Sequence, residues 1–199
     1  VTLQLPRPAL SLTNTANALS AVLASPLDID INAIKQALQT VKLAGRFDYR
    51  ESHSRHWLFD VAHNEQGVEF LLAQLLPFWQ QHVAKQSNQD SSADIPTPKI
   101  KMLFSMLGDK DIDKVVQRLT QAGLPISDWF IAEIDYPRAA TTEQLQGVLV
   151  KYVDSTNIYE FDGLYTATHA VIEASQPQDL IVVCGSFHTI GEALIALSV

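Results

Sequence analysis

From about residue 46 onward, short apolar runs alternate with stretches in which apolar residues recur at helical spacing. A buried strand needs a short continuous apolar run, whereas a helix on its surface needs one apolar stripe. The alternation is therefore typical of βαβ units, and it predicts an α/β fold with a mostly parallel sheet flanked by helices. The expected strands are Phe47–Tyr49, Trp57–Phe59, Ile100–Ser105, Trp129–Ile134, Ile158–Phe161 and Leu180–Cys184.

The helices between these strands carry recognisable end signals. Pro77 is expected to kink or narrow the helix that begins after Asn64. Gly123 fits the C-cap of the next helix, and Thr141 with Gln144 fits a capping box at the start of another. The remaining predicted helices are 164–174, 189–197, 14–23 and 32–41, the last with Asn32 as its cap. Residues 85–98 are polar and end in prolines, which indicates a flexible surface insertion.

Composition restricts the class of protein. The chain has a net charge of −8 and a pI near 5.1, which argues against sequence-independent nucleic-acid binding. No apolar run approaches the roughly 18–20 residues of a membrane span. Cys184 is the single cysteine, so we expect a reducing, cytoplasmic setting. Because the chain starts at Val1 in a proline-spaced stretch, we also expect it to be a piece of a longer protein.

The chain has no GxxxxGK[ST] phosphate loop, no GxGxxG and no set of Cys and His residues with metal-ligand spacing. Its first candidate site is the end of the second strand, where Asp60 is followed by His63 and Asn64. A strand end that leads into a helix N-terminus favours anions, and an Asp there can accept hydrogen bonds from ribose hydroxyls. The alternative is that loop amides satisfy Asp60 and that Asn64 is an N-cap.

Three further segments carry candidate residues. Arg46 offers a guanidinium fork for phosphate, although a surface salt bridge is the alternative. In SMLGDKD, helix capping explains Asp109 and Asp111. A cation is unfavourable at a helix N-terminus, so we expect Lys110 to contact an anionic ligand. In CGSFHT, Ser186 fits an N-cap at an anion-receiving turn, and the missing GxSxG makes a serine hydrolase the weaker interpretation.

Five segments occur in one order along the chain: AGRF at 44–47, FDVAHN at 59–64, GDKD at 108–111, PRAAT at 137–141 and VCGSFHT at 183–189. Together they resemble the C-terminal part of folylpolyglutamate synthase/dihydrofolate synthase, in the Mur ligase superfamily. TNTANAL at 13–19 looks like the tail of that family's central ATPase domain. The resemblance implies a partial ATPase domain over residues 1–44 and a Rossmann-like C-terminal domain over 45–199. Glu65 stands where the family often has Pro, which is compatible with a helix start.

The resemblance also implies roles for single residues. Asn14 and Asn17 would contact adenine, Arg46 would approach the nucleotide phosphates, and Asp60 would contact the ribose. The substrate side would contain His63 and Asn64 at the strand end, Lys110 and Ser186 positioning glutamate, and His188, whose role the resemblance leaves open.

The family reaction joins L-glutamate to dihydropteroate or folylpolyglutamates, with ATP and Mg²⁺, through an acyl phosphate. The resemblance implies a monomeric parent with N-terminal and central domains, which would supply most metal ligands and the folate pocket. We therefore expect this chain alone to be inactive. Two alternatives stay open: another Mur-type ligase acting on cell-wall precursors, and a non-catalytic Rossmann-like module that binds nucleotides or anions.

Overall fold

A computed structural model describes residues 4–6, 8, 12–89 and 96–199, without the side chains of 87–89. The chain divides into two compact units, residues 1–46 and 47–199. This division lies close to the expected domain boundary after residue 44. The assignment of the first segment to an ATPase domain stays a prediction.

The described part of the first unit contains two helices, α1 (Leu12–Ala24) and α2 (Ile31–Thr40). Ile34 is the one side chain of these two helices that is buried. The expectation that Asn32 caps the second helix is wrong. That helix begins at Ile31, so Asp30 occupies the cap position and Asn32 already lies in the first turn.

The second unit is built on one mixed sheet, whose order in the described residues is β1-β2-β6-β3-β4-β5. Only β1 is antiparallel to its neighbour, so the predicted mostly parallel α/β sheet is confirmed. The strands are β1 (Asp48–Ser52), β2 (Arg55–Asp60), β3 (Ile100–Phe104), β4 (Ile126–Ala132), β5 (Ile158–Phe161) and β6 (Leu180–Cys184).

Helices cover both faces of this sheet. They are α3 (Glu65–Gln89), α4 (Ile112–Thr120), α5 (Thr142–Leu149), α6 (Leu164–Ala174) and α7 (Phe187–Leu197), with a short 3₁₀ helix at Ser155–Asn157. The apolar sides of α3, α4 and α5 pack with one face of the sheet, and those of α6 and α7 pack with the other. A strand buried on both faces needs apolar residues at consecutive positions, which explains the unbroken runs in β3 and β6.

Several predicted element ends are confirmed, and others are corrected. Thr141 and Gln144 form the expected capping box. Gln121 takes the C-cap of α4, and Gly123 follows two residues later at φ +70°. Pro77 lies inside α3, which continues to Gln89. Part of the predicted 85–98 insertion is therefore helical, and residues 90–95 lie outside the described part of the chain.

Candidate functional site

The parallel strands β2, β6 and β3 end side by side at one edge of the sheet. Asp60 is level with Cys184, and Cys184 is level with Phe104. The helix that follows β2 covers one face of the sheet, and the helix that follows β6 covers the other. Such a reversal between neighbouring strands opens a crevice at their carboxyl ends, where open α/β sheets bind ligands.

At the end of β2, Asp60 organises the backbone of its own loop. Its Oδ1 accepts from Ala62 N at 2.9 Å, and its Oδ2 accepts from Phe47 N at 2.8 Å. The side chain is 3% exposed. The structure therefore gives Asp60 a structural role of the kind that the alternative predicted, while its contact with a ribose stays a prediction.

The next two site residues hold the start of α3. His63 Nδ1 lies 3.0 Å from Val61 O, and because a carbonyl only accepts, Nδ1 carries the proton. Asn64 Oδ1 accepts from Gly67 N at 2.8 Å, which is N-cap geometry. A Cβ at Gly67 would stand 3.1 Å from that Oδ1. The predicted strand-to-helix turn is present, so the N-terminus of α3 lies at the carboxyl edge of the sheet.

The turn after β6 is locked onto the end of β3. Thr189 Oγ1 donates to Ser105 O at 2.9 Å, so the Ser186 hydroxyl donates its proton to Thr189 Oγ1 at 2.8 Å. Ser186 Oγ in turn accepts from Thr189 N at 3.0 Å, which confirms the N-cap. Ser186 is 5% exposed. Its hydroxyl thus holds the α7 N-terminus in place at the edge.

The loop after β3 pairs with the loop after β4. Leu107 and Ala139 form an isolated antiparallel bridge. Gly108 N donates to Arg138 O at 2.8 Å, and Ala140 N donates to Met106 O at 2.9 Å. The GDKD and PRAAT segments, about thirty residues apart in sequence, are therefore adjacent at the carboxyl edge.

Lys110 lies in this paired loop, half-exposed. Its Nζ is 3.8 Å from Asp109 Oδ2, which Arg138 Nη1 approaches to 2.9 Å. Asp111 is the N-cap of α4 and accepts from Lys114 N at 3.2 Å. Capping thus explains Asp111, whereas the expected capping role of Asp109 is wrong, because that carboxylate pairs with Arg138. Lys110 precedes the N-cap and lies outside the first turn.

Sequence reasoning missed an aromatic contact next to these loops. The rings of Tyr136 and His188 stack with centroids 4.0 Å apart, and the Arg138 guanidinium lies 5.6 Å from the Tyr136 centroid. One helical turn after His188, Glu192 Oε1 accepts from Asp135 N at 3.0 Å, and burial raises the pKa of Glu192. The spacing of four residues between His188 and Glu192 was visible in the sequence, but their partners about fifty residues earlier were not.

Sequence reasoning also missed Ser105, the last residue of the predicted third strand. It is fully buried, and its Oγ has no hydrogen-bond partner among the described residues. Its neighbour across the edge, Gly185, has φ +120°. An unpaired buried hydroxyl at the site edge marks Ser105 as a further candidate residue.

Three of the predicted nucleotide-side residues lie in the first unit. Asn14 and Asn17 are exposed on α1, and Asn14 lines a groove of about 550 Å³ between α1 and α2. Arg46 is half-buried and follows Gly45, whose φ of +71° allows the turn there. Contacts of Asn14, Asn17 and Arg46 with a nucleotide stay predictions.

The described residues contain neither a group of three metal-ligating side chains nor a membrane-spanning helix. Within 4–6, 8, 12–89 and 96–199, no three His, Cys, Asp or Glu side chains lie together as a metal site requires. In the same part of the chain, no helix combines the length and the apolar composition of a membrane span.

The chain is similar to several curated proteins that share one name. No family profile matches the chain. The dihydrofolate synthase/folylpolyglutamate synthase of Escherichia coli is 32% identical over 190 residues, which are 96% of this chain and 39% of the relative. The chain thus spans about two fifths of the length of the curated relatives that it matches.

Solved structures agree with the sequence matches. The E. coli FolC structure in complex with DHPP and ADP superposes with a TM-score of 0.73 at 30% identity, over 99% of this chain and 41% of that one. A bifunctional folylpolyglutamate synthase/dihydrofolate synthase with Mn, AMPPNP and L-glutamate bound gives a TM-score of 0.74 at 29% identity, over 100% of this chain and 42% of that one. The chain therefore belongs to the dihydrofolate synthase/folylpolyglutamate synthase family and corresponds to the C-terminal portion of its members.

Proposed function

We propose that this chain is part of an ATP-dependent ligase that joins L-glutamate to dihydropteroate, to folylpolyglutamates, or to both, through an acyl phosphate. The observation that carries the proposal is the convergence of three loops at one sheet edge. The loops after β2, β3 and β6 bring Asp60, Lys110 and Ser186 to that edge. The chain is also 32% identical to the dihydrofolate synthase/folylpolyglutamate synthase of E. coli.

The local charge of the edge supports an anionic substrate in spite of the net charge of −8. The N-termini of α3 and α7 both lie there, and their backbone dipoles favour negative charge. Lys110 adds a half-exposed ammonium group next to them. We propose that Lys110 binds a carboxylate of the incoming glutamate, while Ser186 holds the α7 N-terminus that faces it.

Glutamate attacks the acyl phosphate with its amino group, and phosphate leaves as the amide bond forms. The chain's contribution to this step is to hold two anionic reactants in contact, which lowers the entropic barrier. Positive charge at the edge also stabilises the negative charge that develops on the transferring groups. His63, Asn64 and His188 are proposed to line the glutamate side of this arrangement.

The proposed site also has a nucleotide side. Relatives have been solved with ADP and with AMPPNP. We propose that Asp60 and Arg46 contact the ribose and the phosphates, and that Asn14 and Asn17 contact the adenine. The buried Asp60 carboxylate already accepts from two backbone amides, so we expect its main effect to be on loop geometry.

A relative was solved with Mn as well as AMPPNP. We propose Mg²⁺ as the metal, held mainly by residues outside this chain. When bound, such a metal would neutralise negative charge on the nucleotide phosphates. No three suitable ligands lie together among the described residues.

A hybrid enzyme tests the proposal. This chain would replace the matching 39% of the E. coli relative, and ADP release would be measured with dihydropteroate in the presence and absence of glutamate. We expect release that depends on glutamate. A correctly folded hybrid that hydrolyses ATP at the same rate with or without glutamate contradicts the proposal.

The same assay applies to the purified chain alone. We expect no ADP release above background, because most of the nucleotide and folate sites is proposed to lie elsewhere. Release from the chain at the rate of the E. coli relative would show that this division of the site is wrong.

A further inference from the structure

A second cavity, of about 940 Å³, lies at the opposite edge of the sheet from the candidate site. It is bounded by the start of β2, by the second half of α3 and by residues 176–178 before β6. All of these belong to the second unit. The candidate site lies at the carboxyl end of β2, whereas this cavity lies at its amino end, so the two are separate.

Two cations that line this cavity, Arg55 and Lys85, have no acidic partner among the described residues. Arg55 Nη1 donates to Ser54 O at 3.0 Å, but its Nε is buried and has no acceptor among the described residues. Lys85 is exposed on α3 and makes no ion pair in the described part of the chain. Buried polar groups almost always have a partner, so the Arg55 Nε–H group calls for an acceptor that the described chain does not supply.

Glu51, the one acid among the described residues that line this cavity, already accepts a hydrogen bond. Gln86 Nε2 lies 3.2 Å from His56 Nε2 and can only donate, so that nitrogen is unprotonated. The proton of His56 is then on Nδ1, 2.7 Å from the Tyr49 hydroxyl, which donates to Glu51 Oε1 at 2.9 Å. The donated hydrogen bonds therefore run from Gln86 through His56 and Tyr49 to Glu51, which is the final acceptor.

His82, on the α3 side of the cavity, is also held in place. His82 is buried, and its Nε2 donates to Gln178 O at 2.8 Å. The His82 ring packs edge-on against His56 with centroids 4.8 Å apart and stacks on Trp79 at 5.6 Å. Any ligand in the cavity therefore lies beside two histidine rings whose positions are fixed by other contacts.

We propose that this cavity binds a small oxyanion, a carboxylate or a phosphate group, through Arg55 and Lys85. If the Arg55 side chain turns towards the cavity, an oxyanion there can supply the acceptor that Nε lacks, in a charge-assisted hydrogen bond. The volume lies within the roughly 300–1,000 Å³ of small-molecule sites. In a chain with a net charge of −8, Arg55 and Lys85 outnumber Glu51, the one carboxylate among the described residues that line the cavity. This local excess of positive charge has the sign that favours an anion.

Imidazole NMR signals of the purified chain test this proposal. The six histidines include His56 and His82 at the cavity, and His63 and His188 at the candidate site. At constant pH and ionic strength, the chain is titrated with AMP, inorganic phosphate, or acetate. We expect the His56 and His82 signals to shift with a Kd below about 1 mM for at least one of them. The arms that respond distinguish a phosphate ligand from a carboxylate ligand.

Charge variants locate the binding. Arg55→Gln and Lys85→Gln are each expected to weaken it about tenfold or more. Lys114→Gln removes the same charge from an exposed position on α4 and is the matched control. Lys85→Gln changes an exposed side chain, so it keeps the test valid if Arg55→Gln fails to fold.

Three outcomes overturn the proposal: no shift at His56 and His82 with any anion, shifts confined to His63 and His188, or equal weakening by Lys114→Gln. The second outcome would leave the proposed ligase function intact. Conversely, failure of the hybrid enzyme would leave anion binding at this cavity unaffected.

Discussion

The α-carbon of Gly185 faces the carbonyl oxygen of Ser105 so closely that a Cβ at residue 185 would overlap that oxygen. Such a Cβ would also stand 2.7 Å from Met106 Cγ. With its φ of +120°, Gly185 has a conformation that other residues rarely adopt. The turn that presents Ser186 thus depends on a glycine for two independent reasons.

Gly185→Ala is therefore expected to lower the free energy of unfolding by about 3 kcal/mol, through backbone strain and overpacking. Gly191→Ala in α7 is the matched control, because an added Cβ there meets nothing within 4 Å. That control is expected to raise the free energy of unfolding by about 0.5–1 kcal/mol. Urea denaturation measures both, and similar effects of the two substitutions would show that the close approach to Ser105 is unimportant.

Lys110→Gln is expected to raise the KM of the hybrid enzyme for glutamate about tenfold or more, because a charge-assisted contact with a carboxylate is lost. Stability is expected to change little, since the side chain is half-exposed. Lys114→Gln, four residues later on α4, is the control and should leave KM unchanged. The proposed role of Lys110 fails if both variants have the wild-type KM.

Removal of Arg138 is expected to act on glutamate through Asp109. Without the 2.9 Å contact from Arg138, Asp109 is left to pair with Lys110, now 3.8 Å away. Arg138→Ala should then raise the KM for glutamate in the hybrid enzyme about 2–5-fold, as suits an exposed ion pair. Adding Asp109→Asn should restore the KM. No rescue by that second substitution would indicate that Arg138 acts in another way.

Acid is expected to destabilise the fold through His56. Burial, and then the nearby His82, lower the pKa of His56 below its ordinary value of 6.5. The unfolded chain therefore binds the proton more tightly, and stability is lost as the pH falls from the unfolded pKa towards the lower folded pKa. Urea denaturation between about pH 7.5 and pH 5.5 should show a smaller loss for His56→Gln than for the wild type. Equal losses would exclude His56 as a source of the acid sensitivity.

Local pattern was enough to predict much of the fold. The strand Leu180–Cys184 and the strand Ile158–Phe161 have the predicted bounds, because each is a run of β-favouring residues between turn signals. The capping box at Thr141 was equally local. Errors occurred at helix ends, such as Gln121 in place of Gly123, where tertiary packing and not the strongest local signal decides where the last turn stops.

By itself, the sequence determined the α/β class, the segments that end at the site, and the residues that they carry, because these depend on periodicity and on neighbours a few positions apart. Only the tertiary structure decided which of those segments meet. The contacts of Thr189 with Ser105, of Arg138 with Asp109 and of Tyr136 with His188 join residues about thirty to eighty positions apart. Strand order creates these contacts, and strand order depends on how helices pack across the whole sheet, which no local pattern records.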